Sequence, residues 1–207
     1  MSAVARIADD VLSVRMRSPA HAQAGADALA PLDGVIDIAP GMESLALLFD
    51  PLTADISTLK AALLRAAGAP EPEAAAGPII KIPVAYGGDA GPDLEAVAAE
   101  AGLSARDVID RHLARLLNVD MLGFTPGFAY LGGLDPRLAV SRLATPRAHL
   151  PAGSIGVCGG QTGLYALAGP GGWKIIGRTN MKLFDPDADP PFVVRPGMRV
   201  RFKEART

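Results

Sequence analysis

Residues 153–179 read GSIGVCGGQTGLYALAGPGGWKIIGRT. Three short apolar runs stand in this stretch, at 154–157, 164–167 and 174–176, with glycine-rich turns between them. Strands of this length, recurring roughly every 8–12 residues between turn signals, belong to a compact barrel or sandwich. The pattern continues on both sides, with further runs at 119–124, 181–184, 192–194 and 198–202. The last is the clearest. Met198, Val200 and Phe202 alternate with Arg199, Arg201 and Lys203, so one face turns inward and the other meets water.

Before residue 118 the period becomes helical. Leu94, Val97, Ala98 and Ala101 share a face, with Pro92 at the first helical position and Gly102 as terminator. Ser104 and Asp107 form a capping-box pair for a second helix, whose stripe is Val108, Ile109, His112, Leu113 and Leu116. Residues 79–85 predict a strand, and Pro83 places it at a sheet edge. Residues 69–78 (APEPEAAAGP) have no periodicity and read as a linker. Ahead of the linker come an alternating strand at 11–17, an alanine-rich helix at about 21–30, and strands at 35–38 and 44–50 around Pro40-Gly41. A helix carrying Ile56, Leu59, Leu63 and Ala67, capped by Gly68, completes a β-α-β-β-α order. The expected fold class is α+β: a small α/β sandwich domain at 1–68, a linker at 69–78 and a β-barrel domain at 79–207.

With 207 residues, 49% hydrophobic and 20% charged, the chain has enough apolar material for its cores and is excluded from the disordered class. A net charge of -2 excludes a strongly basic nucleic-acid binder. The lone Cys158 excludes an internal disulfide framework and a cysteine-rich zinc site, and His21, His112 and His149 share no metal-ligand spacing. No apolar run exceeds five residues, and Asp9 and Asp10 interrupt the early apolar stretch, which predicts a cytoplasmic protein with no membrane partner. Charge is unevenly spread. Residues 1–136 hold 9 basic and 18 acidic side chains, whereas residues 137–207 hold 11 basic and 4 acidic. Such asymmetry fits either an anionic ligand at the second part or mutual attraction of the two parts.

Three glycine- and proline-rich blocks carry the candidate chemistry: Gly123-Phe-Thr-Pro-Gly-Phe-Ala-Tyr-Leu-Gly-Gly133; Pro151-Ala-Gly-Ser154 with Gly159-Gly-Gln-Thr-Gly163; and Gly169-Pro-Gly-Gly-Trp173 through Gly177-Arg-Thr179. Glycine lets a main chain approach a ligand and present its N–H groups. Five of the ten aromatic residues lie in or beside these blocks, and Phe124, Phe128, Tyr130, Tyr165 and Trp173 are candidate walls of a pocket. Pro126, Gly127, Gly153, Ser154, Thr162 and Thr179 are the other binding candidates, and Gln161 and Arg178 the candidate catalytic groups. Arg142, Arg147 and Arg178 each offer a planar fork for a carboxylate or phosphate, and only Arg178, within Ile-Gly-Arg-Thr, is singled out. The plain alternatives are core for any one aromatic, a turn for any one glycine, a hydrogen-bonded core histidine for His112, an exposed loop residue for His149 and an inert thiol for Cys158. No G-x-S-x-G surrounds Ser154, and neither G-x-x-x-x-G-K-[ST] nor H-E-x-x-H occurs. Gly87-Gly88-Asp89-Ala90-Gly91 reads as a turn between strand and helix.

Taken together, Ile82-Pro-Val-Ala-Tyr-Gly-Gly88 with Gly91-Pro-Asp-Leu94, Gly123 through Leu131, Pro146-Arg147, Pro151 through Ser154, Gln161-Thr-Gly-Leu-Tyr165 and Pro170-Gly-Gly-Trp-Lys-Ile-Ile-Gly-Arg-Thr179 resemble the family of 5-oxoprolinase B-type subunits, also called KipI-like or allophanate hydrolase subunit 1. The blocks run in family order from about residue 79 onward, with Ala39-Pro-Gly41 and Asp50-Pro51 as looser matches before them. This resemblance implies a cyclophilin-like barrel for the second domain and a KipA-like partner, the C-type subunit of the same system. It also implies a third oxoprolinase subunit and ATP-dependent opening of 5-oxo-L-proline to L-glutamate, with a small amide or carboxylate as substrate. ATP would be used by the complex, since no site for it is recognisable in this chain. Two other family roles come with the resemblance: inhibition of a sporulation histidine kinase, and the carboxyltransferase part of urea carboxylase. The chain departs from the usual family pattern at Leu117, Ser141, Ala166 and Asn180, and at Ala168-Gly169 ahead of Pro-Gly-Gly-Trp.

Overall fold

A computed structural model of the chain describes residues 3–30, 32–72 and 77–205. The chain forms two compact units, Met1–Ala75 and Ala76–Thr207. Residues 73–76 of the expected linker and residues 206–207 of the expected barrel domain lie outside the described residues.

The first unit is a four-stranded antiparallel sheet, in the order β1-β2-β4-β3, packed by two helices. Its elements are β1 (Ala5–Ala8), β2 (Val11–Arg15), α1 (Pro19–Leu29), β3 (Val35–Pro40), β4 (Ser44–Phe49) and α2 (Ile56–Gly68). Period-two alternation puts Leu12 and Val14 of β2 and Leu45, Leu47 and Phe49 of β4 on the core side. They meet Ala22, Ala26 and Leu29 of α1 and Leu59 and Leu63 of α2. Both helices are capped as their sequences invite: the Ser18 side chain accepts from the His21 N–H, and that of Asp55 from the Ser57 N–H. Two expectations need correction. Strand β1 was not anticipated, being a short exposed edge strand without alternation. Gly68 ends α2 rather than capping it; the cap is Ala69, held extended (φ -62, ψ 153) because Pro70 follows.

The second unit is a closed barrel. Its elements are β5 (Ile79–Tyr86), a 3-10 turn (Gly88–Ala90), α3 (Leu94–Ala101), α4 (Ala105–Ala114), β6 (Leu117–Leu122), β7 (Ala129–Gly132), β8 (Arg147–Leu150), β9 (Ser154–Cys158), β10 (Gln161–Leu164), β11 (Gly169–Gly171), β12 (Lys174–Arg178) and β13 (Arg199–Glu204). Seven strands close in the order β10-β7-β6-β13-β5-β12-β9, and β8 pairs with β11 as a separate ribbon. All barrel pairings are antiparallel except β13 with β5. The chain is thus α+β, as expected.

Ile82, Val84, Leu117, Val119, Leu131, Ile155, Val157, Leu164, Val200 and Phe202 fill the barrel, together with Leu94 and Val97 of α3 and Val108 of α4. The capping box at Ser104 and Asp107 is present. Pro92, by contrast, precedes the N-cap residue, Asp93, and so lies outside α3. Strand β5 is internal, not an edge. Its ladder to β12 covers only Ala85 and Tyr86, and the Val84 carbonyl faces β13, where it accepts from the Ala205 N–H. Successive residues point their backbone groups to opposite sides, so the missing Pro83 N–H faces the β12 side, short of that ladder. The runs at 181–184 and 192–194 form no strand; they are joined by one bridge, Phe184 to Phe192, whose rings stack at 5.2 Å.

A second, aromatic core lies on the outside of the barrel. Residues alternate across a strand, so with Ile155, Val157 and Leu164 inside, Gly156 and Gly163 face out. Phe128, Leu150, Tyr165 and Ile175 cluster there, with Tyr130 against them, and Phe128 meets Trp173 edge-on with ring centroids 5.9 Å apart. The two glycines make room for these rings. A Cβ on Gly163 would fall 2.8 Å from both Phe128 and Trp173. Gly163→Ala is therefore expected to cost about 1–3 kcal/mol by overpacking. A thermal melt followed by the fluorescence of Trp173, the sole tryptophan, should move down by several degrees; an unchanged midpoint would show that the rings yield freely.

No helix among the described residues is long and apolar enough to cross a membrane.

Candidate functional site

Strand β12 carries Arg178 to the outer face beside Ser154, its antiparallel partner on β9. A cleft of about 170 Å³ opens here, lined by Asp89, Ala90, Pro92, Arg147, His149, Leu150, Pro151, Ser154, Ile175 and Arg178. The Ser154 hydroxyl donates to the Pro151 carbonyl at 2.7 Å. Gly153 (φ +81) gives its carbonyl to the Thr179 N–H at 2.9 Å, and its own N–H reaches the Tyr165 carbonyl at 2.7 Å. A Cβ on Gly153 would sit 2.0 Å from the Thr179 carbonyl oxygen, so this contact requires glycine. Thr179 is buried, and its hydroxyl oxygen accepts from the Met181 N–H. Gly153 and Thr179 therefore act as the clasp that holds Arg178 at the cleft.

The two arginines of the cleft differ. Arg147 donates through both terminal nitrogens to the Asp93 carboxylate, each at 2.7 Å, and these bonds raise its pKa further. Asp93 is 6% exposed and also accepts from the Ile175 N–H at 2.7 Å. Among the described residues the Arg178 side chain has no hydrogen bond or ion pair, so its guanidinium faces the cleft uncommitted.

A second cleft, about 80 Å³, is walled by Phe124, Phe128, Tyr130, Tyr165 and Trp173, with Arg142, Gly171 and Gly172. Phe128 is its centre and meets Phe124, Tyr130 and Tyr165 edge-on with centroids 4.7–5.6 Å apart. Burial raises the Tyr165 pKa. Phe124 is 62% exposed and has φ 69, a left-handed conformation that a bulky side chain adopts at a cost. Of its loop neighbours, Pro126 is exposed, while Gly127 (φ +74) is buried against Ala166 and Phe184.

Gln161 and Thr162 line neither cleft, which corrects the expectation that both meet Arg178 over one ligand. The strand register is the reason. Gln161 pairs with Cys158 and Arg178 with Ser154, so they stand four residues apart along β9, about 13 Å at the usual strand rise. Gln161 instead hydrogen-bonds Asp120, whose carboxyl burial pushes up to about 6 against that bond. Thr162 points into the barrel, where its hydroxyl lies 3.2 Å from His112 Nε2; His112 Nδ1 is 2.7 Å from the Tyr86 hydroxyl, and the imidazole stacks on Phe202. Sequence reasoning passed over Asp120, met Asp93 only as part of the Gly91-Pro-Asp-Leu94 block without assigning it a role, and read Asp89 only as part of a turn.

His112 is fully buried and its pKa is lowered to about 3 by desolvation, against an ordinary 6.5. Below about pH 6.5 the unfolded chain takes up a proton that the folded barrel refuses, so stability is whole above that pH and is lost towards pH 3. Asp120, raised from 3.8 to about 6, contributes the opposite slope between those values. Its displacement is smaller, so His112 decides the sign. The melting temperature should fall between pH 7 and pH 4.5, and His112→Gln, which leaves the opposite slope of Asp120, should abolish or reverse that fall; an identical slope in the variant would acquit His112.

The family model for the carboxyltransferase domain, subdomain C and D, matches residues 3–194. The chain belongs to this family. Within it, the B-type subunit of 5-oxoprolinase from Escherichia coli O157:H7 is 43% identical over 180 residues, covering 86% of this chain and 81% of that protein. The resemblance read from the glycine-rich blocks is thereby met. The solved structure of TTHA0988 superposes with a TM-score of 0.81 at 36% identity over 96% of this chain, and this chain spans only 40% of that one. Kluyveromyces lactis urea carboxylase superposes with a TM-score of 0.80 over 99% of this chain and 22% of its own length; at 17% identity the likeness is one of fold.

Proposed function

We propose that this chain is the B-type subunit of a 5-oxoprolinase complex, which opens 5-oxo-L-proline to L-glutamate with ATP and acts with a KipA-like, C-type partner and a third subunit. The observation that carries the reading is Arg178: an uncommitted guanidinium on a small cleft whose other arginine is already neutralised by Asp93. A planar fork is the best side chain for holding a carboxylate by two parallel bonds. Arg178 would hold the substrate carboxylate while Ile175 of the barrel and Leu150 of the ribbon exclude water from one side. The partner chain would close the other.

A lactam is stabilised by amide resonance, so opening it needs an activated carbonyl, which is what ATP supplies to such a complex. The residues here do not fit the nucleotide. In the one glycine-rich turn ahead of a helix among the described residues, the Gly87, Ala90, Gly91 and Asp93 N–H groups are all bonded within the fold. Asp89 adds negative charge where a phosphate cradle needs donors, and Arg147, the nearby cation, is already spent on Asp93. ATP therefore belongs to another subunit in this reading, and the contribution of this chain is binding and orientation.

Reconstitution of the chain with a KipA-like protein and the third subunit, followed by assay of L-glutamate from 5-oxo-L-proline with and without ATP, tests the reading. ATP-dependent release that disappears when this chain is omitted supports it. Equal release without this chain, or none from the full set, overturns it.

A further inference from the structure

We propose that the Arg178 cleft is a subsite for a small zwitterion, an α-amino acid whose carboxylate meets Arg178 and whose ammonium meets Asp89. Asp89 and Arg178 line the same cleft. Neither side chain has a hydrogen bond or ion pair among the described residues, and no ion pair joins them to each other. Opposite charges that share a small cleft normally collapse together. Here the fold keeps them apart.

What holds Asp89 in place is the anchoring of its turn. The Gly87 N–H donates to the Ile176 carbonyl at 3.1 Å and the Asp93 N–H to the Ile175 carbonyl at 2.9 Å, so the turn is tied to β12 at both ends. A Cβ on Gly91 would lie 2.0 Å from the Ile176 carbonyl oxygen, so the turn is pressed directly onto the strand that bears Arg178. Asp93, the other carboxylate nearby, is consumed by Arg147 and Ile175, which leaves Asp89 as the acceptor that a ligand can use. A molecule carrying both a cation and an anion satisfies both groups at once. A dicarboxylate or a phosphate ester would satisfy Arg178 but face Asp89 with like charge. The volume, about 170 Å³, suits an amino acid and falls below the roughly 300–1,000 Å³ of pockets for larger ligands.

The inference deepens the oxoprolinase reading and rests on it for the identity of the amino acid. Opening the ring converts one neutral lactam N–H into an ammonium, so L-glutamate carries the charge that Asp89 selects and 5-oxo-L-proline does not. Asp89 is a specificity residue in this scheme, reading the nitrogen end of the ligand.

Isothermal titration of the isolated chain with L-glutamate and with glutarate, which lacks only the ammonium, tests the subsite. L-Glutamate should bind at least tenfold more tightly. Asp89→Asn should abolish that preference without lowering glutarate affinity, and Arg178→Gln should weaken both ligands, each variant melting as the parent does. Equal binding of the two ligands by the parent, retention of the preference in Asp89→Asn, or no binding of either at millimolar concentration would overturn the subsite. The oxoprolinase reading fails separately: a chain that binds L-glutamate selectively but whose reconstituted complex releases none keeps the subsite and loses the reaction.

Discussion

Arg178→Ala should lower kcat/KM for glutamate release by the reconstituted complex about 10²–10³-fold, equivalent to about 2.7–4 kcal/mol. The size follows from what is removed: a charge-assisted, two-pronged contact inside a cleft that the partner shields from water. Because the guanidinium makes no internal bond among the described residues, the substitution should leave the melting temperature and co-purification with the partner unchanged. Arg178→Lys restores the charge but not the fork, so it should recover only part of the loss. Turnover unaffected by the alanine change would remove Arg178 from the site and with it the observation on which the proposed function stands.

Asp93→Ala should have the largest effect on stability. The carboxylate is almost wholly buried and accepts from both terminal nitrogens of Arg147 and from the Ile175 N–H, all at 2.7 Å. Truncation leaves a guanidinium and a backbone N–H without their acceptor. Breaking one side of such a pair costs about 3–5 kcal/mol, which for a unit of this size is a fall of about 10–15 °C in melting temperature. Asp93→Asn keeps the shape and one acceptor and should cost less. Pairing Asp93→Ala with Arg147→Met should recover much of the loss, since the stranded charge is then gone. A single alanine variant melting within two or three degrees of the parent would refute this account.

Legibility in the sequence followed how local each interaction is. Strand β13 was readable because Val200 and Phe202 alternate with charged neighbours, and the cap at Ser104 was readable because its partner Asp107 is three residues away. Strands β8 and β11 were not. Gly169–Gly171 is Gly-Pro-Gly, a segment with no strand preference of its own, made a strand by pairing with Arg147–Leu150. The site divided along the same line. The aromatic wall was legible because half of the ten aromatic residues concentrate in or beside the three glycine-rich blocks, although Tyr165 and Trp173 lie far along the chain from Phe128. The separation of Gln161 from Arg178 was not, because it depends on which residues of β9 face each of them. Asp93 was invisible for the same reason: its partners lie 54 and 82 residues away.

The parallel pairing of β13 with β5 bears on how the polypeptide matures. The first stave of the barrel, Ile79–Tyr86, waits for a neighbour that is translated more than a hundred residues later, Arg199–Glu204. Until that stretch leaves the ribosome, β5 shows a bare, hydrogen-bond-hungry flank, and closure spans almost the entire unit, a slow kind of contact to make. The sheet-and-helix unit ahead of it meets no such delay. A nascent chain would therefore carry one finished body and one unsealed one, and it is the unsealed one that chaperones would need to guard.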